Sequence, residues 1–384
     1  MTEEHGRFGG RRQGSDPDTL DRHFGTDDVV PLWIAEPSVE LAPGVLRALE
    51  DRAAIGWYGY ETRPASVVGS FWEWMRVRHG WDEAGLRTVV SPSVGSSIGV
   101  LIDQLTDVGD DVIIQPPVFT DFKTLIADSG RRVVRNPLQL TDSGYRIDLD
   151  GLARAASEPT TRLMILCSPH NPVGRVWTGD ELRSVARICS DHDVFVIADE
   201  IHADLALAPH RFVPFASAAA GISDRWAATH GPINTFCLAG VCDTLMITGD
   251  AEVADRFEET SSRLHLTRND VFGMAAFEAA YRTGAGWLDE LLALVASNVA
   301  VVEQGLPDGI GLVAPEGTYL VWLDLRDLGL EVPEIASWLG AAGVALSPGH
   351  WFGREGAGFA RLTVAAPPAI VEDAVARLAE AVRR

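Results

Sequence analysis

The sequence predicts an α/β fold: a mostly parallel central sheet with helices on both faces, followed by a smaller α+β C-terminal domain. Two observations predict this fold. Short apolar runs rich in Val, Ile and Leu recur between amphipathic stretches, a pattern typical of β-α-β crossovers. After about residue 282 the pattern changes to one long helical segment followed by strand-like and helical stretches. The runs of the first part are RTVV, DVIIQ, RLMILC, DVFVIAD and DTLMITG.

The remaining elements follow from spacing. A crossover helix is predicted in WTGDELRSVARICSDHD, where Thr178 and Glu181 have capping-box spacing and apolar residues follow at helical intervals. The C-terminal part predicts a helix in GWLDELLALVASNVAVVEQGL and strands in TYLVWLDL and FARLTVA. We expect residues 1–45 to form an N-terminal arm and part of the small domain, 46–282 the large domain, and 283–384 the small C-terminal domain. The first two dozen residues are polar and Gly-rich, which predicts mobility.

Composition limits the possible partners. The chain has 384 residues, of which 46% are hydrophobic, enough for one large core or two modest ones. Its formal charge of −22 would repel nucleic-acid backbones and anionic lipid surfaces, so we expect neither as a partner. The prediction is a protein that acts on a small molecule.

Location and metal content are predicted from what the sequence lacks. No stretch looks long and apolar enough to span a membrane, and the N-terminus has no signal-peptide core, so we expect a cytoplasmic protein. The four cysteines form no CxxC pair and have no close histidine set, which predicts reduced thiols and no metal site. They are Cys167, Cys189, Cys237 and Cys242.

Two loops carry the main functional signal, because ligands of open α/β sheets bind beyond the carboxyl ends of the strands. SPHNPVGR, residues 168–175, follows RLMILC, and DEIHAD, residues 199–204, follows DVFVIA. In this order and spacing, the pair resembles the fold-type I family of pyridoxal 5′-phosphate (PLP) enzymes, aminotransferase class I/II, in its cystathionine β-lyase-like (C-S lyase) subgroup. The similarity extends through PEGTYLVWLD and SPGHWFGREGAGFARL near the end of the chain.

The resemblance implies PLP as cofactor and assigns roles on its ring. Asp199 would keep the pyridine nitrogen protonated, so that the ring accepts electrons released at the substrate α-carbon. Asn171 would donate to the ring hydroxyl oxygen, and His202 would lie near that oxygen. Standing alone, His202 could be a core histidine and Asn171 part of a turn; the presence of both motifs favours the functional interpretation.

Other segments would complete the cofactor site. The loop with Val94, Gly95 and Ser96 follows RTVV and precedes an apolar helix, so its backbone amides could hold the phosphate. Phe119 stands where the subgroup usually has a ring-stacking Tyr. Tyr60 would reach the phosphate of the partner subunit, which implies a homodimer with shared active sites.

The resemblance also implies a substrate site. Arg361 would bind the α-carboxylate of an amino acid as a planar donor. Trp33 and Glu36, in LWIAEP, would lie near the substrate entrance. Glu36 and Pro37 replace a more usual Asp-Met pair, so the identity of the substrate is not predicted.

The residue expected to bind PLP covalently is absent. The family has a lysine in a segment resembling SPSKTFNLAGL, and this chain has GPINTFCLAGV, which places Asn234 at the lysine position. Gly231 and Ile233 also lack hydroxyls that often help to hold the phosphate. An amide can neither form an imine with the cofactor aldehyde nor shuttle protons near neutral pH. Lys123 is the single lysine of the chain, and its position early in a helix-like stretch favours an exposed surface residue.

Three functional interpretations remain open from the sequence. The first is lysine-independent decarboxylation of an S-substituted L-cysteine, with possible oxidative deamination, as in PLP enzymes of lincosamide antibiotic biosynthesis; this comparison rests on analogy. The second is a C-S β-lyase or aminotransferase captured as a Lys-to-Asn variant at Asn234. The third is a non-catalytic protein that binds PLP or another ligand.

Overall fold

The computed structural model describes residues 12–267 and 269–384, and its centre is a seven-stranded sheet. The strand order is β2-β10-β9-β8-β7-β3-β4. The strands are β2 (Arg87–Ser91), β3 (Asp111–Ile114), β4 (Arg132–Arg135), β7 (Thr161–Cys167), β8 (Phe195–Asp199), β9 (Trp226–His230) and β10 (Thr244–Thr248). All neighbours pair in parallel except β10, which is antiparallel to both β9 and β2. The predicted mostly parallel sheet is therefore confirmed.

The five apolar runs of the first part all form strands of this sheet. β3, β8, β9 and β10 are buried at every position, as expected for strands covered on both faces. The assignment of DTLMITG to a parallel crossover is wrong, because Thr244–Thr248 runs antiparallel. Sequence analysis also missed Arg132–Arg135, a polar edge strand, and Trp226–His230, whose alanines have low β propensity.

Helices cover both faces of the sheet. α7 begins with the predicted capping box: Thr178 accepts from the Glu181 backbone, and the Glu181 carboxylate accepts from the Thr178 backbone. The helices are α1 (Pro17–Phe24), α2 (Pro43–Ala54), α3 (Ala65–His79), α4 (Val94–Leu105), α5 (Thr120–Asp128), α6 (Leu149–Ala156), α7 (Gly179–Asp191), α8 (Phe215–Ala219), α9 (Ala251–Arg263), α10 (Val271–Thr283), α11 (Ala285–Gly305), α12 (Ile335–Ala341) and α13 (Pro368–Arg383).

The C-terminal part of the chain forms a second sheet. Its order is β11-β12-β15-β14, with β11 (Gly311–Val313), β12 (Leu320–Asp324), β14 (Ser347–Pro348) and β15 (Phe359–Thr363). β1 (Val30–Pro31) pairs in parallel with β13 (Val344–Ala345), so an N-terminal segment joins this part of the fold. A separate hairpin consists of β5 (Gln139–Thr141) and β6 (Gly144–Arg146). These sheets are compatible with the proposed domain boundaries, which stay a prediction.

The predicted mobility of the first two dozen residues is wrong for residues 12–24; residues 1–11 lie outside the described part. Asp16 caps α1 by accepting from the Thr19 backbone. Leu20 and Phe24 are buried and pack beside Trp33. The polar composition concealed this short amphipathic helix.

One helix contradicts the expectation that no stretch is long and apolar enough to span a membrane. α11 has 21 residues and contains an 18-residue window with a mean hydropathy of 1.5, which satisfies that test of length and composition. It packs against α13, and its buried Asn298 donates to the carbonyls of Val364 and Ala366 at 2.8 Å. A core helix passes the same test.

Candidate active site

The two predicted motif loops lie side by side because the strands that precede them are neighbours. β7 ends at Cys167 and β8 ends at Asp199, and these two residues are paired across the sheet. Since the strands are parallel, the loop 168–175 and the turn 200–204 leave the same edge of the sheet. The sheet therefore positions both motifs at one site.

Asp199 is a buried carboxylate whose two oxygens differ in surroundings. Oδ1 accepts from the Thr229 hydroxyl at 3.0 Å and from the Ile201 backbone at 3.3 Å. Among the described residues, none donates to Oδ2. Burial raises the pKa of Asp199 to about 6, although the Thr229 and Ile201 hydrogen bonds oppose the rise. A cationic N–H group placed at Oδ2 would relieve this penalty.

Arg361 is held in place by its own chain before any ligand binds. Nη1 donates to Asn171 Oδ1 at 2.9 Å, and Nη2 donates to the Trp33 carbonyl at 2.7 Å and, more weakly, to Ser347 Oγ at 3.4 Å. Nε is buried without a partner, and the Phe352 ring lies 4.7 Å from the guanidinium carbon. Burial lowers the pKa of Arg361 to about 10, which leaves it charged at neutral pH.

His202 faces Asn234, the residue that the resemblance places at the lysine position. Its Nε2 lies 3.3 Å from Asn234 Nδ2. Burial, and secondarily the charge of Arg361, lower the pKa of His202 to about 3, so the imidazole is neutral at physiological pH. Because an amide nitrogen only donates, Nε2 acts as the acceptor and the ring proton belongs on Nδ1. That Nδ1 atom is buried without a partner.

The backbone around Asn234 is fixed from two sides. The Tyr319 hydroxyl lies 3.2 Å from the Asn234 carbonyl and 3.0 Å from the Ala35 carbonyl. The Thr235 hydroxyl lies 3.5 Å from Asp204 Oδ2, and Asp204 also accepts from Trp74 and contacts His79 at 2.7 Å. The asparagine therefore stands in a defined position rather than on a loose loop.

The predicted phosphate loop lies at the start of α4. Ser93 caps the helix by accepting from the Ser96 backbone at 3.0 Å, which leaves the first backbone N–H groups, at Val94 and Gly95, for an anion. Ser91 pairs with Thr244, and Gly231 lies against Thr244, so the loop is next to the segment that contains Asn234. The structure thus brings these two segments together.

Phe119 and Tyr60 occupy different environments. Phe119 is half-buried at the start of α5 and packs edge-on against Phe122. Tyr60 is 92% exposed on its own chain. Exposure of a tyrosine in this segment is compatible with the reach to a partner subunit, which stays a prediction.

Of the two residues predicted at the substrate entrance, Trp33 contacts Arg361 through its backbone and Glu36 contacts Cys237. The Trp33 contact with Arg361 is made by its backbone oxygen, while its indole packs between Phe24 and Trp351. Glu36 is half-buried, and its Oε1 lies 3.8 Å from Cys237 Sγ. Lys123 is exposed on α5, as expected.

Three site residues escaped sequence analysis: Thr229, Ser347 and Tyr319. Thr229 lies on β9, the strand that apolar patterning missed, and a correct strand assignment would have placed it next to Asp199. Tyr319 lies in PEGTYLVWLD, a segment already used for the resemblance. Ser347 likewise begins SPGHWFGREGAGFARL, the other segment used for the resemblance.

The described residues fit PLP on structural grounds. A buried carboxylate with one unpartnered oxygen suits a pyridinium nitrogen, and the uncapped amides of α4 suit a phosphate. The Asn171 Nδ2 donor remains for a ring oxygen, since Oδ1 of the same amide is occupied by Arg361. Fold and site together define a PLP-dependent enzyme of fold type I.

Comparison with known proteins shows the family. The model of the aminotransferase class I and II family matches residues 70–378, and this chain belongs to that family. Cystathionine beta-lyase PatB of Bacillus subtilis is 34% identical over 360 residues, covering 92% of this chain and 93% of PatB. Protein MalY of Escherichia coli is 31% identical over 367 residues, covering 94% of this chain and 93% of MalY.

Solved structures agree with the fold. Cystalysin from Treponema denticola, which contains PLP, has a TM-score of 0.90 at 27% identity, covering 95% of this chain and 94% of cystalysin. A PLP-bound protein of Clostridium difficile 630 has a TM-score of 0.91 at 33% identity, covering 96% of each chain. PLP is accordingly the cofactor of this enzyme family, and the chain is similar to its C-S lyase members.

Proposed function

We propose that this enzyme decarboxylates an amino acid, an S-substituted L-cysteine, without a lysine in its active site. The observation that carries the proposal is the pairing of Asn234 with a neutral His202. At the position where the family pattern has an amine that binds the cofactor and transfers protons, this chain has an amide hydrogen-bonded to an imidazole. A reaction that needs no proton removal from the α-carbon suits this arrangement.

The cofactor, when bound, supplies an electron sink for a bond broken at the substrate α-carbon. Loss of carbon dioxide leaves the bonding pair behind, so no base is required for that step. Asp199 holds the proton on the cofactor nitrogen and so keeps the sink effective. Asn171 orients the ring through its amide and simultaneously holds Arg361 at 2.9 Å.

The hydrogen bonds of Arg361 affect which bond at the substrate α-carbon is broken. A guanidinium binds a carboxylate bidentately through a pair of nitrogens, either Nε with Nη2 or Nη1 with Nη2. Both pairs include Nη2. Here Nη2 already donates to Trp33 and Ser347. A substrate carboxylate that competes for this nitrogen is held more loosely than by a free edge. A looser hold favours decarboxylation, because tight binding of the ground-state carboxylate would oppose its loss.

Two fates of the α-carbon are open after carbon dioxide leaves. Addition of a proton gives an amine. Alternatively, dioxygen accepts two electrons and two protons, and water completes the deamination, giving an aldehyde, ammonia and hydrogen peroxide. Neutral His202 is a poor acid at physiological pH, so it does not favour the protonated product. We therefore include oxidative deamination in the proposal.

The thioether, the assembly and the location are further parts of the proposal. The names of the relatives, such as cystathionine beta-lyase, support a sulfur-containing amino acid as substrate. The cytoplasmic location rests on the sequence expectation alone. Exposed aromatic side chains at Trp57, Tyr58 and Tyr60 support a homodimer in which this segment meets the partner. Secondary metabolism, in particular antibiotic biosynthesis, follows only by analogy.

The test is product analysis with PLP and S-methyl-L-cysteine labelled with ¹³C at the carboxyl group, in air and without oxygen. Labelled carbon dioxide supports the proposal, and an aldehyde with hydrogen peroxide formed only in air supports the oxidative branch. Pyruvate and methanethiol would instead show β-elimination. Unchanged substrate, also with longer S-alkyl cysteines, would overturn the proposal and favour a ligand-binding protein or a captured lyase.

A further inference from the structure

His202 is an imidazole whose accepting nitrogen is occupied by an amide. Its Nε2 accepts from Asn234 Nδ2 at 3.3 Å, and the ring is neutral at physiological pH because burial lowers its pKa to about 3. A free Nε2 lone pair beside the substrate α-carbon is able to take a proton from that carbon. By the resemblance, position 234 is where the proton-transferring amine of the family stands, so this nitrogen lies toward the same carbon. The amide therefore covers a base at the place where a base would act.

Asp204 reaches both partners of this contact. It lies in the 3₁₀ turn Ala203–Leu205, for which His202 is the N-cap residue. Its Oδ2 lies 3.5 Å from the hydroxyl of Thr235, the residue after Asn234. This distance is at the long limit of a hydrogen bond, but both side chains are buried, where water does not compete for either group. One carboxylate thus connects the turn of His202 to the segment of Asn234.

Helix α3 holds Asp204 from the other side. Trp74 Nε1 donates to Asp204 Oδ1 at 2.8 Å, and His79 Nε2 lies 2.7 Å from the same oxygen. Burial alone would raise the pKa of Asp204, but the hydrogen bonds from His79 and Trp74 outweigh burial and hold that pKa below its usual range. The Trp74 ring also packs edge-on against Phe236, with 5.9 Å between the ring centres. Since Phe236 is two residues past Asn234, α3 supports this segment through both Asp204 and Trp74.

Tyr319 closes the opposite side of the contact. Its hydroxyl lies 3.2 Å from the Asn234 carbonyl, and its ring packs edge-on against the His202 ring at 6.2 Å. A tyrosine hydroxyl carries one proton, and this one also faces the Ala35 carbonyl at 3.0 Å. Because Tyr319 cannot donate fully to both carbonyls, it does not fix Asn234 alone. Asp204 supplies the second restraint.

We propose that Asp204 is a positioning residue: it holds the Asn234 amide on His202 Nε2, and the amide thereby keeps His202 from removing the substrate α-proton. The inference rests on the proposed function, because it names what suppresses the competing reaction at the same site. In that reaction the α-proton moves to Nε2, the bond from the β-carbon to sulfur breaks, and sulfur leaves with the bonding pair and the proton as a thiol. Water converts the remaining fragment to pyruvate and ammonia. Asp204 accordingly selects between loss of carbon dioxide and loss of the thiol.

The first experiment reads the contact without any reaction. In PLP-free protein labelled with ¹⁵N-histidine, long-range ¹H–¹⁵N spectra show which ring nitrogen carries the proton. The spectrum of His202→Gln identifies the His202 signal among the ten histidines. We expect the native ring proton on Nδ1, because Nε2 accepts from the amide. Asn234→Ala gives the reference for an open contact, in which a protonated Nε2 appears.

Two variants open the contact from the side of Asp204. Thr235→Val removes the hydroxyl and keeps the shape, whereas Asp204→Ala removes the carboxylate. We expect both to move the His202 signal toward that of Asn234→Ala. Thr235→Ser keeps the hydroxyl and should retain the native signal. If circular dichroism shows that Asp204→Ala does not fold, Thr235→Val decides the test.

The matched control is Thr248→Val. It removes a buried hydroxyl that donates to the Trp226 carbonyl at 2.7 Å, at the opposite edge of the sheet from the motif loops. This variant should lose stability and keep the native His202 signal, so it separates a general structural cost from positioning. A native His202 signal in Thr235→Val overturns the proposal.

The second experiment measures the products formed from S-methyl-L-cysteine with PLP. We expect Thr235→Val and Asp204→Ala to raise pyruvate relative to carbon dioxide about tenfold over the native enzyme, because a base is uncovered. Thr248→Val should leave the ratio unchanged. Adding His202→Gln to Thr235→Val should remove the extra pyruvate. An unchanged ratio in a variant whose His202 signal has moved, or extra pyruvate that persists without His202, overturns the blocking role.

Failure of this inference and failure of the proposed function give different results. A His202 signal that moves in Thr235→Val, with no carbon dioxide from the native enzyme, supports the positioning role and overturns the proposed function. Carbon dioxide from the native enzyme, with a His202 signal that Thr235→Val leaves in place, supports the proposed function and overturns the positioning role. Pyruvate as the main native product overturns the proposed function and the blocking role together.

Discussion

The site contains two regions that differ in how much of the family pattern they keep. We call Asn171, Asp199, His202 and Arg361 the ring wall, and Gly231–Asn234 the anchor segment. The ring wall retains every polar group that the family resemblance implies; all four residues are buried, and Arg361 donates to Asn171. The anchor segment lacks the amine and the two hydroxyls that the resemblance implies there, while its backbone is held by Tyr319. The resemblance thus implies that holding the cofactor and bonding to it covalently are assigned to different segments of the chain.

The largest expected effect comes from restoring the anchor. In Asn234→Lys, the new amine would reach the cofactor aldehyde, so the protein should gain a covalent imine that borohydride reduction fixes at position 234 and mass spectrometry locates. With S-methyl-L-cysteine, the main product should change from carbon dioxide to pyruvate, because an amine can remove the α-proton.

The matched control is Lys123→Arg, which removes the single lysine of the native chain and should leave the native products unchanged. If borohydride fixed PLP to Lys123 of the native protein, Lys123 would supply the covalent bond that the anchor segment lacks. That result would contradict the comparison of the two regions.

The ring wall should respond strongly to Asp199→Asn. The amide keeps the shape and loses the charge that pairs with the protonated ring nitrogen, and breaking a buried ion pair costs about 3 kcal/mol or more. We expect kcat to fall roughly a hundredfold. Steady-state kinetics at saturating PLP would measure it, and Asp193→Asn, at an exposed aspartate on the loop before the same strand, is the control. An unchanged kcat would show that Asp199 does not pair with the protonated ring nitrogen.

Arg361→Lys should have a smaller effect. Lysine keeps the charge but cannot maintain the contacts with Asn171 and Trp33 together with a substrate carboxylate. We expect KM to rise about tenfold, equivalent to one charge-assisted hydrogen bond. Because a looser carboxylate favours its loss, kcat for decarboxylation should fall less than kcat/KM. A fall confined to kcat would show that Arg361 does not bind the substrate.

The smallest effect concerns stability and pH. The pKa of His202 is about 3 in the folded protein, below its ordinary value of about 6.5, so acid favours the unfolded state. The contribution of neutral His202 to the free energy of unfolding is fully present above pH 6.5 and is lost as pH falls toward 3. His202→Gln should therefore gain about 1.4 kcal/mol per pH unit relative to the native protein below pH 6.

Urea unfolding of the PLP-free protein at pH 5, 6 and 7 measures this difference in the free energy of unfolding. The control is His192→Gln at an exposed histidine. Asp199, whose pKa is raised to about 6, has the opposite dependence, and both proteins carry it, so it cancels in the comparison. A constant difference across the three pH values would show that His202 is not buried as a neutral ring.

Sequence alone predicted what depends on local pattern. The capping box of α7 needs only the spacing of Thr178 and Glu181, and Asp199 could be placed because it ends an apolar run. The antiparallel direction of Thr244–Thr248 could not be predicted, since the apolar pattern of a buried strand is the same in either direction.

Long-range contacts account for what was missed in the site. Arg361 donates to Trp33, 328 residues away in sequence, and Arg135 pairs with Glu355 across 220 residues. No local periodicity contains such a pair, because it arises only when two parts of the fold pack together. The separation of Asn234 from His202 is shorter, 32 residues, yet their contact also depends on the order of strands in the sheet.

Trp33 links the N-terminal segment to Arg361, the proposed ligand of the substrate carboxylate. Its indole Nε1 donates to the Gly14 carbonyl at 2.9 Å, while its own carbonyl receives Arg361 at 2.7 Å. Limited proteolysis or a bulky fusion tag that displaced residues 12–24 would release one end of this tryptophan and loosen the arginine at the other. We therefore expect preparations that differ only in residues 12–24 to differ in KM for the amino acid, and an assay of this protein needs this segment intact.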